Sequence, residues 1–136
     1  MKEIYCRWNK ITSFGGKKIF EKLQKNPELK VADFSWNLLG EAYKTLRTDN
    51  GFIEEFCNFL MHNKMIVHLD ISNNHFTVPQ TAKIAEALRA NKTIYGFHFT
   101  GNKGYVDSEQ FLNDQAMDYE DNYSAHLLHP INGVLK

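Results

Sequence analysis

The sequence predicts an α/β protein, a solenoid of about four strand–helix repeats with a parallel sheet on the concave side. Three observations predict it. Asparagines anchor four apolar segments in one phase: Met1-Ile4-Cys6-Asn9-Ile11, Leu29-Ala32-Phe34-Asn37-Leu39, Ile66-Leu69-Ile71-Asn74-Phe76 and, more loosely, Ile94-Phe97-Phe99-Asn102-Gly104. These asparagines lie 28, 37 and 28 residues apart, and fixed periods of this size mark strand–helix units stacked around one continuous core. A second pattern keeps the same phase: Leu23, Leu60 and Leu88 are each followed three residues later by Asn26, Asn63 and Asn91. Ile19-Phe20, Phe56-Cys57 and Ile84-Ala85 precede those leucines at the spacing of an inward helical stripe.

Each unit reads strand, loop, helix. Strands are expected at about residues 2–6, 30–34, 67–71 and 95–99, where apolar residues alternate as a half-buried strand requires. The asparagine closing each strand sits at a sharp turn, where its amide can satisfy backbone groups that lack a ladder partner. Stacked asparagines are therefore expected to form a ladder. Helices are expected at about 14–25, 52–62 and 78–90, and a fourth at 107–116 has weaker support because Asn113 and Ala116 follow Leu112. The third helix has a start signal in Thr77, Pro79 and Gln80, a capping box with proline in the first turn. Asp49 or Asn50, before Gly51, can start the second. The longer second unit holds an insertion at 40–51, in which Ala42, Tyr43 and Leu46 have helical spacing. Residues 1–114 are read as the repeat domain, which could be part of a longer solenoid. Residues 115–136 are read as an acidic, then apolar, tail or cap.

The period, the stretch Leu69-Asp70-Ile71-Ser72-Asn73-Asn74 and the stretch Ile84-Ala85-Glu86-Ala87-Leu88-Arg89-Ala90-Asn91-Lys92-Thr93 resemble the ribonuclease-inhibitor-like subfamily of leucine-rich repeat proteins. Ala32 in place of leucine, the long second unit and Gly104 depart from that pattern. The resemblance implies a curved α/β stack with helices outside. It also implies an intracellular binding or scaffold role, as most relatives have. It admits two other roles: a GTPase-activating protein of the Ran-activator type, and a tropomodulin-like cytoskeletal capping protein. The first needs an exposed catalytic-loop arginine, for which Arg7 and Arg47 are the candidates, or an asparagine that guides the transition state.

Composition narrows the partner. Formal net charge is zero, so no global field favours nucleic acid or an anionic membrane. The charge is nonetheless uneven, with eight Lys/Arg against three Glu in residues 1–30, and six Asp/Glu with no Lys or Arg in residues 104–124. No apolar run is long enough to span a bilayer, and the N-terminus lacks the apolar stretch of a signal peptide. A cytoplasmic location is expected. Cys6 and Cys57 fall on core positions and read as buried thiols rather than a disulfide. The sequons Asn91-Lys92-Thr93 and Asn122-Tyr123-Ser124 read as fortuitous. His126 and His129 have metal-like spacing without a second ligand pair, and Gly101-Asn102-Lys103-Gly104 reads as a turn rather than a phosphate loop. No nucleophile set stands out. The expectation is a non-enzymatic protein that needs no cofactor or metal and binds another protein. It would bind neither nucleic acid nor membrane, and could make end-to-end contact through an uncapped N-terminal strand edge.

Repeat phase also nominates a surface. Tyr5, Asp33, Asp70 and His98 form one expected column, Arg7, Ser35, Ser72 and Thr100 another, and Trp8 and Trp36 begin a third near the turn. Glu3, Val31, His68 and Gly96 are expected on the outer side of the strands. Tyr5, Trp8, Asp33, Trp36, His68, Asp70 and His98 are the expected partner-binding residues. Exposed tryptophans act as binding hot spots, whereas tryptophans packed under the rim would close the core. Adjacent Asp33 and Asp70 could receive a basic group or serve as an acid–base pair, or be neutralised by His68 and His98.

Overall fold

The computed structural model describes residues 1–40, 51–108, 111–113 and 127–130. Strands β1 (Glu3–Tyr5), β2 (Val31–Asp33), β3 (His68–Asp70) and β4 (Gly96–His98) alternate with helices α1 (Ser13–Leu23), α2 (Phe52–His62) and α3 (Val78–Leu88). The four strands form one parallel sheet in chain order. Register pairs Ile4 with Ala32, Ala32 with Leu69, and Leu69 with Phe97. The alternation of the sequence thus becomes one apolar row facing the helices. Each strand is shorter than expected, at three residues, though backbone bonds between neighbouring layers continue past the strand ends, as from Trp8 to Ser35 and from Trp36 to Ser72.

The core lies between this row and the helices. Phe34, Leu69, Ile71, Phe97, Phe99, Leu23, Leu60 and Leu88 are all buried there. Phe20 sits at its centre, with ring centroids 5.0 Å from Phe34, 4.9 Å from Phe56 and 5.1 Å from Phe59. Helix α1 approaches closely through Gly16, where a Cβ would come within 2.6 Å of Leu39 Cδ2. Ile4 and Cys6, expected in the core, are only partly buried. Ile4 lies on the edge strand β1 and Cys6 directly follows it; among the described residues that strand has a neighbour on one side alone. Cys57 is likewise half-buried rather than buried.

The asparagine ladder forms. Asn37 Oδ1 accepts from the backbone N–H groups of Asn9 and Ile11, and its Nδ2 donates to the carbonyls of Cys6, Phe34 and Ser35. Asn74 donates to Phe34, Ile71 and Ser72. Asn102 accepts from the N–H groups of Asn74 and Phe76 and donates to Ile71 and Phe99. Each side chain therefore ties its own turn to the preceding one. At the helix C-terminal ends Asn63 Oδ1 accepts from Met65 and Ile66, and Asn91 Oδ1 from Thr93 and Ile94. Asn91 is buried, so its sequon is not presented to solvent.

The capping box at Thr77 and Gln80 is present, with Pro79 in the first turn. Helix α2 begins instead at Gly51, whose φ of 81° gives a left-handed cap without a side-chain bond; Asp49 and Asn50 lie outside the described residues, as do Ala42, Tyr43, Leu46 and Arg47 of the insertion. The expected fourth helix at 107–116 is corrected. Strands β5 (Tyr105–Val106), β6 (Phe111–Asn113) and β7 (Leu127–Pro130) form a second, antiparallel sheet. Strands β6 and β7 pack against α3. Leu112, which suggested a helical stripe, is buried and instead pairs in register with the buried Val106 of β5. Most of the expected tail, 115–136, lies outside the described residues.

Candidate protein-binding face

The sheet face turned away from the helices is built by the residues flanking the buried row. Tyr5 pairs in register with Asp33, Asp33 with Asp70, and Asp70 with His98. Four of the seven nominated residues thus form one row across the sheet, at the ~4.8 Å spacing of paired strands. His68 stands one row earlier, in register with Val31 and Gly96. Its imidazole leans over Gly96, where a Cβ would lie 2.5 Å from Nδ1, and reaches the ring of His98 with centroids 4.8 Å apart.

The carboxylates are not idle on this face. Asp33 Oδ1 accepts from the Ser35 N–H at 3.0 Å and from its hydroxyl at 2.6 Å, and Asp70 Oδ1 accepts from the Ser72 N–H at 2.9 Å. Each aspartate closes the turn after its own strand, which leaves the second oxygen for a ligand. The Tyr5 hydroxyl donates to Glu3 at 2.9 Å, and this bond to a carboxylate raises the phenol above its ordinary pKa.

Trp8 and Trp36 stand three residues beyond Tyr5 and Asp33, past the strand ends. Their indoles stack with centroids 4.3 Å apart and planes within 8°. Both are exposed, Trp8 by 64% and Trp36 by 43%, so they do not close the core from under the rim. The Trp8 N–H donates to the Ser35 carbonyl and that of Trp36 to Ser72, which fixes the two backbones one strand apart. The column continues through Asn73 and Gly101: Asn73 donates its N–H to Thr100, and the four residues have φ of 61°, 58°, 56° and 81°. Left-handed backbone suits glycine and asparagine but is a genuine outlier for a bulky residue. Spacing located the column; its left-handed geometry was not legible, because tryptophan argues against such a position. Arg7 is exposed on the row between the tryptophans and Tyr5.

Sequence reading missed two hollows elsewhere. A groove of about 720 Å³ along α2 and α3 is lined by Ile53, Cys57, Met61 and Ala87 together with the ion-paired Lys83 and Glu54. Burial pushes the Cys57 thiol up to about 12. A smaller hollow of about 270 Å³ lies at the rim before the strands, between Lys30, Lys64 and Lys92. The doublets Asn63-Lys64 and Asn91-Lys92 were the available signal for it. Among the described residues no group of three His, Cys, Asp or Glu is placed to hold a metal, and no helix is long and apolar enough to cross a membrane. His126 lies outside them, and His129 falls on β7. Neither protein-family models nor curated protein sequences match the chain.

Proposed function

We propose that the chain is a leucine-rich repeat solenoid of the ribonuclease-inhibitor type, acting in the cytoplasm as a non-catalytic protein-interaction module or scaffold. The parallel sheet in chain order and the two sets of asparagine turns at equivalent spacing support the repeat reading. The partner is another protein, received on the sheet face by Tyr5, Asp33, His68, Asp70 and His98 and anchored by Trp8 and Trp36.

One observation carries this reading: the exposed indole stack on left-handed backbone. Bulky residues there oppose local preference, and an exposed stack contributes little to a core. Large rigid aromatics of this kind dominate interface energies. The asparagine and glycine farther along the column meet the same backbone demand without an aromatic, so the turn itself does not require tryptophan.

The test is a partner recovered with the wild-type chain, purified and titrated against wild type and Trp36→Ala. Binding should weaken by more than about 1 kcal/mol while unfolding in denaturant is little changed. A destabilised variant whose folded fraction binds normally would reject the anchor.

A further inference from the structure

The lysine-ringed hollow is a separate surface from the tryptophan face. Its walls are three columns. Lys30, Val67 and Tyr95 are tied together by backbone bonds, Val67 N–H to the Lys30 carbonyl and Tyr95 N–H to the Val67 carbonyl, both at 2.9 Å. Lys64 and Lys92 each follow a turn asparagine, and Asn91 Nδ2 donates to the Asn63 carbonyl at 3.3 Å, which holds the two lysines in adjacent layers. Met65 and Thr93 follow in the same order, their N–H groups bound by those asparagines.

Met65, Val67 and Tyr95 are exposed, Tyr95 by 59%, so the hollow has an apolar wall. Its lining holds three lysines and no carboxylate. Among the described residues no carboxylate pairs with any of the three. Lys30, Lys64 and Lys92 bring three like charges to one hollow, which an anionic partner would neutralise.

We propose that this hollow docks an acidic segment of a partner protein, with one aromatic or large apolar side chain of that segment seated against Met65, Val67 and Tyr95. Charge complementarity commits the occupant: carboxylates on either side of the anchor meet the ammonium groups. A concave site with room for one large side chain suits a peptide better than a flat bilayer, and one exposed aromatic offers no series of platforms for nucleic-acid bases.

The probe is a fluorescein-labelled peptide of glutamates around one central phenylalanine, followed by fluorescence anisotropy. Wild type should bind it saturably and lose affinity as salt rises. Lys64→Glu with Lys92→Glu should weaken it by about tenfold or more, while Trp36→Ala leaves it unchanged. Lys64→Gln with Lys92→Gln repeats the test without added repulsion if the reversed pair misfolds by circular dichroism. The proposal is overturned by any of four results: no saturable binding to wild type, equal binding by the folded lysine variants, equal affinity for a peptide with serine in place of phenylalanine, or binding of phosphatidylserine vesicles without binding of the peptide.

Discussion

Asn74 reaches out of its own turn to the carbonyl of Phe34, forty residues earlier, with Nδ2 and oxygen 2.9 Å apart. The same side chain donates to Ile71 and Ser72 and accepts from the Leu39 N–H, and it has no solvent exposure. Replacing it with alanine strands several buried backbone groups at once, each costing about 1–3 kcal/mol. Asn74→Ala should therefore lower unfolding free energy by at least about 3 kcal/mol. Asn9 is exposed, and water can replace its bonds to Cys6 and Arg7. Asn9→Ala should cost about 1 kcal/mol or less. Equal losses in urea unfolding would show that burial does not set the strength of the ladder.

The two stacked indoles are coupled chromophores. Wild type should show an excitonic couplet in the far-ultraviolet circular dichroism that Trp8→Ala and Trp36→Ala each abolish. Because both rings are exposed, neither substitution should cost more than about 1.5 kcal/mol, the upper worth of an aromatic pair. A couplet that survives either change would disprove the stack.

Leu69 is fully buried between Ala32 and Phe97 in the register. Leu69→Ala should cost about 2–5 kcal/mol through lost transfer energy and the cavity left behind. A loss below about 1 kcal/mol in denaturant unfolding would mean that the inward row is misassigned.

Two glycines should respond oppositely to alanine. At Gly40 a Cβ would lie 2.3 Å from the His75 carbonyl oxygen, a backbone atom that cannot step aside. At Gly15, inside α1, the nearest atom is Ile11 Cγ2 at 3.5 Å. Gly15→Ala should stabilise by about 0.5–1 kcal/mol through helix propensity. Gly40→Ala should lower the melting temperature clearly.

Cys57 links stability to alkaline pH. Burial of the neutral thiol raises its pKa from 9.0 to about 12, with Glu54 adding to the shift. The folded state therefore holds a proton that the unfolded chain releases. The resulting stabilisation is full below pH 9 and is lost as pH rises toward 12. The stability difference between wild type and Cys57→Ala should shrink over that window. The thiol should also react sluggishly with iodoacetamide at neutral pH. A constant difference across the window would refute the assignment.

The fold was legible where one residue type fixes a turn by its own chemistry. Asn9, Asn37, Asn74 and Asn102 announce the turns because an asparagine amide can serve two neighbouring strands at once, and their spacing carried the strand register with it. The start of α3 was legible for the same reason, since Thr77 and Gln80 cap each other. Less of the candidate site could be read. Phase placed Tyr5, Asp33, Asp70 and His98 in one row, but it did not show that Asp33 and Asp70 spend an oxygen on their own turns.

By itself, then, the sequence determined the order of strands and helices through α3, the inward row and the asparagine turns. These follow from side-chain direction and short-range hydrogen bonding, which each segment encodes locally. Only the tertiary structure decided how much neighbours cover each side chain. It left Ile4, on the edge strand, and Cys6, just past it, partly open, set Trp8 and Trp36 outside the core, and gathered Lys30, Lys64 and Lys92 around one hollow. It also made residues 111–113, expected within a helix, a strand. Their apolar residues fit either period, and the neighbours that decide between periods, β7 and α3, are distant in the chain.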